Sequence, residues 1–240
     1  MKSLYLFLLV CVVCALPLLA GEYKARVEPL EKVTLSAQYG GTIVKLDQHD
    51  ELKTLDKTVL VIDHALESQK LANDRAKERL LSEQIRIKAR QYARIKNLKG
   101  QSAFTKERYQ NELLGLKIQR NDLRNQIAAL EDMIAKKEIA LHGRYLKKLY
   151  VRQGAYVAPG MKLMDVEDLS GSRLVLFVSA EDRENLEHKK ILIDGKADHG
   201  YVIDKAAKTT DDTYISSYRV ELVRKGAAPF GKLVTVTIKE

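Results

Sequence analysis

Polar and apolar positions follow three regimes along this chain, and each predicts a different kind of element. From Lys24 to Asp63 the apolar residues come in short runs, Val33-Thr34-Leu35, Gly41-Thr42-Ile43-Val44-Lys45-Leu46 and Thr58-Val59-Leu60-Val61-Ile62, separated by glycines and acidic clusters. Runs of that length bounded by turn residues predict strands. Between Ala65 and Ile139 there is no proline, only Gly100 and Gly115 interrupt, and Ala, Leu, Lys, Arg, Gln and Glu dominate. These are strong helix formers. The cluster Lys99-Gly100-Gln101-Ser102 breaks the stretch near its middle, because Gly100 tolerates the left-handed conformation that ends a helix and Ser102 or Thr105 can cap the next one. The resulting arms, 65–98 and 105–138, have 34 residues each. As helices they would be about 51 Å long, and a short turn between equal arms predicts an antiparallel pair.

The second arm carries a stripe at alternating steps of four and three: Tyr109, Leu113, Leu116, Arg120, Leu123, Ile127, Leu130, Ile134, Lys137 and Leu141, eight of the ten apolar. That spacing predicts a heptad seam. In the first arm Leu81, Ile85, Lys88, Tyr92 and Ile95 keep the same steps near the turn, but the pattern fades toward Asp63. The helix pair is therefore expected to be tightest at its tip and looser at its base. After the helices a strand pattern returns from Tyr145 to Glu167, followed by further strands over 173–179, 190–194, 201–204, 214–224 and 232–239. Val234, Val236 and Ile238 alternate with Thr235 and Thr237, as in a half-buried strand. Several short strands in such a segment suggest a small barrel or sandwich.

At the N-terminus an apolar run of 16 residues, Leu4 to Leu19, follows Met1-Lys2-Ser3. It would span about 24 Å as a helix, short of a bilayer core, so it reads as a secretory signal over 1–20, cleaved after Ala20. Both cysteines, Cys11 and Cys14, fall within it, which removes a disulfide framework and a Cys-ligated zinc site from the exported part. Losing 1–20 takes away one lysine and no acid, so the formal charge of +9 becomes +8. In a secreted protein that charge is poorly explained by a nucleic-acid partner. The five histidines, His49, His64, His142, His188 and His199, show no metal-ligand spacing, and Met161 and Met164 read as turn and core residues. No nucleophile, base and acid stand together in a recognised motif, so the chain is not read as an enzyme, and no cofactor is implied.

The segment from Gly143 to Val166 closely resembles the biotinyl/lipoyl-like half-motif: Leu149, Val151, Val157, Leu163 and Val166 take the core positions, and Gly154 and Gly160 the turns. Residues 40–63 look like the matching first half, except that Asp50-Glu51 and Asp56 stand where turn glycines are expected. A split lipoyl-like domain with a long hairpin inserted, then a barrel, resembles the periplasmic adaptor or membrane-fusion-protein family of HlyD type. The resemblance implies an α+β multidomain chain: a lipoyl-like β-sandwich over 33–63 plus 140–167, an antiparallel α-helical coiled-coil hairpin over 64–139, and a small β-barrel over 21–32 plus 168–240. Arg94, Leu98 and Thr105 match the spacing by which such adaptors dock on outer-membrane channels of the TolC type, with Thr for Ser. The implied function is a periplasmic adaptor of a tripartite efflux or secretion system. It would be held at the inner membrane by a transporter of resistance-nodulation-division (RND) or ATP-driven (ABC) type and assembled as a ring of six. Arg94 would donate to the channel's helices, Leu98 fill an apolar groove, and Thr105 hydrogen-bond while capping the second helix. The alternative is an exported coiled-coil scaffold without transport. An acyl carrier modified at Lys162 fits less well, since in carriers the modified lysine lies between the half-motifs, where the helices stand here.

Overall fold

The computed structural model describes residues 21–197 and 200–239. The segment 1–20, read as an export signal, lies outside them, as do Asp198 and His199. In chain order the elements are β1 (Gly21–Arg26), β2 (Glu28–Ser36), β3 (Gly41–Leu46), β4 (Lys53–Ile62), α1 (Ala65–Lys96), α2 (Ala103–Lys137), β5 (Glu138–Leu149) and β6 (Tyr156–Val157). There follow β7 (Lys162–Val178), the short α3 (Ala180–Arg183), β8 (Lys190–Ile193), β9 (Lys196–Ala197), β10 (Val202–Ala206), β11 (Tyr218–Lys225) and β12 (Leu233–Lys239). This mixed α/β chain forms two units: Thr34–Val166, and the residues up to Val33 together with those from Glu167 onward.

In the Thr34–Val166 unit two distant stretches of chain build one small core. Strand β3 pairs antiparallel with β4, β4 with β5, and β3 with β6. Ile43, Leu60 and Ile62 from before the helices are buried in one cluster with Leu146, Val157, Leu163 and Met164 from after them. Reciprocal backbone bonds lock the halves together. Ala37 N–H donates to the Met161 carbonyl at 2.9 Å and Gly160 N–H to the Ala37 carbonyl at 2.7 Å. Ile43 N–H donates to Ala155 at 2.9 Å and Gly154 N–H to Ile43 at 2.8 Å. Gly154 and Gly160 both have φ of +84°, which a side chain would disfavour.

The first half makes its turn differently from expectation. Neither Asp50-Glu51 nor Asp56 takes a glycine-like conformation. Gln48–Asp50 form one 3₁₀ turn capped by the Asp47 carboxylate, and the positive φ falls on Leu52, at +65°. Asp50 is buried and held by Lys57 Nζ at 2.8 Å, while Asp56 is an exposed residue of β4. A second difference concerns the exit from the helices. Strand β5 starts at Glu138, ahead of Tyr145, and Leu141 is a core residue of that strand rather than the last place of the helical seam. The pairing steps from Leu55↔Arg144 to Asp56↔His142 and leaves Gly143, at φ +63°, as an extra residue. This bulge shifts the inward parity from Leu141 to Leu146, so the strand shows no clean alternation in sequence.

In the other unit β1 pairs with β12, β12 with β8 and β8 with β9, while β10 pairs with β11 and β11 with residues 171–178 of β7. The inward residues of β12, Val234, Val236 and Ile238, are buried with Leu174, Leu176 and Leu222 of the second ladder. Burial alternates along β12 and along residues 172–178 of β7, so each ladder turns one apolar face inward.

Candidate functional site

The candidate site is the turn between α1 and α2, and the helices that carry it are held by two kinds of contact. Along α2 the predicted places Leu113, Leu130 and Lys137 are buried, and Tyr109, Leu116, Arg120, Leu123, Ile127 and Ile134 are half-buried. In α1 the same steps of four and three run through Glu67, Leu71, Asp74, Glu78, Leu81, Ile85, Lys88, Tyr92 and Ile95, none of which is exposed. The seam thus continues to the base of α1, but there it is largely polar. The second kind of contact is cross-helix pairing. Arg75 meets Glu131 at 2.7 Å, Arg124 Nε meets Glu78 at 2.9 Å and Lys88 meets Glu112 at 2.7 Å, while the Tyr92 hydroxyl donates to Gln110 at 3.1 Å. Partners fall in number on α2 as they rise on α1, so the helices run antiparallel. The hydrogen bond from Arg124 holds the Glu78 carboxyl below its ordinary pKa, and the bond from Lys88 does the same for Glu112.

The base is not left loose as expected. Lys137, the last residue of α2, has its side chain only 7% exposed and donates to Glu67 Oε1 at 2.7 Å and to the Asp63 carbonyl at 2.8 Å. That bond lowers the Glu67 pKa. His64 joins the same region, with Nδ1 2.8 Å from the Ser68 hydroxyl and Nε2 3.0 Å from Glu138. The first arm appears weak in sequence because ion pairs hold it where apolar residues would have signalled it. Two seam residues are under-satisfied: Asp74 is buried, contacts Lys77 at 3.4 Å, and its Oδ2 has no hydrogen-bond partner among the described residues, and the same holds for Arg120 Nε.

At the tip the helices end at Lys96 and begin again at Ala103, giving arms of 32 and 35 residues rather than two of 34. Asn97 is the cap of α1, Leu98 N–H donates to the Ile95 carbonyl at 3.2 Å, and Gly100 with φ +94° turns the chain back. Ser102, not Thr105, caps α2: its hydroxyl accepts the Thr105 N–H at 3.2 Å, and the two hydroxyls lie 2.9 Å apart. Arg94 is exposed in the last turn of α1, outside the seam. Leu98 is 51% exposed and Phe104, in the first turn of α2, 75% exposed. The predicted residues Arg94, Leu98 and Thr105 therefore all lie in or beside the turn. Phe104 lies beside them as well, and an aromatic two places after the capping serine and outside the seam steps is a signal readable in the sequence.

The remaining sequence candidates are placed as follows. Met164 is fully buried in the core of the Thr34–Val166 unit and Met161 sits in the Gly160 turn. Lys162 is exposed at the start of β7. His49 pairs with Asp47 at 3.0 Å and His142 with Asp56 at 2.9 Å, both at the surface. Among the described residues no group of three or more His, Cys, Asp or Glu could hold a metal ion, and no helix is long and apolar enough to cross a membrane.

Several solved structures share this arrangement. The membrane fusion protein Spr0693 of Streptococcus pneumoniae R6 matches with a TM-score of 0.66 at 9% identity, over 92% of this chain and 99% of that one. A Bacteroides eggerthii protein named as a candidate efflux transporter matches at 0.65 and 14%, over 92% and 68%. A MacA–MexA chimera carrying the α-hairpin domain of Pseudomonas aeruginosa MexA matches at 0.61 and 18%, over 92% and 80%. No family model matches the chain, and no curated protein matches it in sequence. The fold is that of the membrane fusion protein Spr0693 and of the MacA–MexA chimera.

Proposed function

We propose that this protein is the adaptor subunit of a tripartite efflux or secretion system, a coiled-coil hairpin inserted in a split lipoyl-like sandwich and followed by a small β-barrel. It bridges an inner-membrane transporter, of RND or ABC type, to a TolC-type outer-membrane channel, and it assembles from copies of itself into a ring of six. It works in the periplasm after export by its N-terminal signal and does no chemistry of its own. The observation that carries this reading is the tip. The turn leaves Leu98 and Phe104 exposed within a few residues of the exposed Arg94, at the end of two helices whose facing sides are joined by cross-helix ion pairs. An apolar pair flanked by a planar multi-donor cation suits a groove between helices: Leu98 and Phe104 fill it, and Arg94 donates to its carbonyls or carboxylates. The Thr105 hydroxyl, already tied to Ser102, adds one further polar contact.

Site-specific crosslinkers at positions 98 and 105 should capture an outer-membrane channel protein from cells. Leu98→Asp should abolish that capture and sensitise cells to toxic compounds as gene deletion does, while the melting temperature stays at the wild-type value. A strain lacking the gene with unchanged sensitivity to many compounds would favour an exported scaffold instead.

A further inference from the structure

The unit formed by the two terminal stretches contains a cavity of about 670 Å³, well within the size range of small-molecule sites. It lies on the face of the β10–β11–β7 ladder opposite the core. Leu174 and Leu222 point into the apolar cluster, and the alternate residues Arg173, Glu221 and Val223 line the cavity. Leu30, Val202 and Val223 give it an apolar wall. The charged lining is asymmetric, with the cations Arg173, Lys205, Arg224 and Lys225 against two acids, Asp204 and Glu221. One of those acids is already neutralised from outside the cavity, since Arg219 meets Glu221 Oε1 at 2.6 Å.

Arg173 is the group that asks for a ligand. Its side chain is only 23% exposed, yet its guanidinium reaches Glu28 and Glu221 at 3.6 Å each, beyond hydrogen-bond length. Its Nε is buried with no hydrogen-bond partner among the described residues. A largely buried guanidinium whose donors close on no acceptor is unfavourable, and a carboxylate or phosphate is the acceptor whose geometry fits its fork. Lys205 stands by with loose contacts only, 3.8 Å to Asp204 and 4.0 Å to Glu221. Glu221 Oε2 also lacks a hydrogen bond and lies 3.6 Å from Arg173 Nη1.

We infer that this cavity binds an anionic amphiphile, its carboxylate or phosphate head on Arg173 with Lys205 and Lys225 at the mouth, and its apolar body against Leu30, Val202 and Val223. The inference stands whether or not the chain bridges two membranes. Calorimetric titration of the protein with decanoate and with decyl phosphate, below micelle-forming concentrations, should give saturable binding. Decyltrimethylammonium should give none. Arg173→Gln should weaken both anions at least tenfold. Flotation with phosphatidylglycerol vesicles separates the sources: Arg173-dependent flotation assigns the head group to membrane lipid, and binding of the monomeric anions alone assigns a free amphiphile. Equal affinity for the cationic probe, wild-type affinity in folded Arg173→Gln, or no binding of either anion or the vesicles would overturn the inference. Should Arg173→Gln melt early, the surface variant Lys205→Gln/Lys225→Gln decides, and wild-type affinity there overturns it.

Discussion

Leu52 pays a conformational cost that its counterpart Gly154 avoids. Both positions take positive φ in the turns of one small core, but a leucine at +65° crowds its Cβ against the following carbonyl, by about 1–2 kcal/mol. The side chain is 66% exposed, so little packing offsets that cost. Leu52→Gly should therefore stabilise the protein by about 0.5 kcal/mol after the extra unfolded-state entropy of glycine is subtracted. Leu52→Val should destabilise it by at least as much, and urea unfolding of the pair checks the sign. This residue also marks a boundary of what the sequence discloses. The second half of the core could be read because Gly154 and Gly160 announce their turns. In the first half the same backbone need is met by a leucine and by an Asp50–Lys57 bond, neither of which signals a turn on its own.

At the scale of elements, the two long helices differ in how they can be recognised. The seam of α2 was legible because its buried places are aliphatic at the right steps. That of α1 was only half legible because Glu67, Asp74 and Glu78 occupy it and the physics there is electrostatic. Strand β5 was read too short, because the Gly143 bulge shifts its inward parity part-way along. Arg94, Leu98 and Thr105 lie in or beside the turn that Gly100 announces, and of the two capping candidates it is Ser102 that serves, its hydroxyl standing three residues before the Thr105 N–H. The polar half of α1 makes the helix pair acid-sensitive. Glu67, Glu78 and Glu112 have pKa values held below the ordinary 4.5 by hydrogen bonds from Lys137, Arg124 and Lys88. Their folded values lie below their unfolded ones, so the stabilisation is full above about pH 4.5 and disappears as pH falls through the lowered values. Melting followed by helical circular dichroism should begin to drop as pH falls below about 4.5, and the triple Glu→Gln variant should show a flatter pH dependence. A wild-type melt that does not move with acid would remove these pairs from the stability of the helices.

At the scale of the whole molecule, each unit is made from segments far apart in the chain. Ile43 shares a core with Val157, and β1 pairs with β12. A charge placed in such a core acts on both contributing stretches at once. Val157 is fully buried, so Val157→Asp should cost more than about 4 kcal/mol and make residues 34–62 and 138–166 protease-sensitive together. Leu98→Asp, at an exposed turn, should leave the protease pattern unchanged. Cleavage confined to one of the two stretches in Val157→Asp would mean that they do not form one cooperative core.

The distance in sequence between Ala37 and its partners Gly160 and Met161 also sets a timetable. As the polypeptide emerges from a ribosome or a translocation pore, α1 and α2 can zip together from their own turn, since the Tyr92–Gln110 and Lys88–Glu112 pairs beside it are the nearest in sequence and each further pair extends the same zipper. Strands β3 and β4 can pair with each other at once, but β4 must wait for β5 beyond the helices, Ala37 for partners more than a hundred residues later, and β1 for the final strand. A nascent chain stalled just after Lys137 would thus carry a finished rod on an adhesive stub, a species that a chaperone at the exit would have to shield.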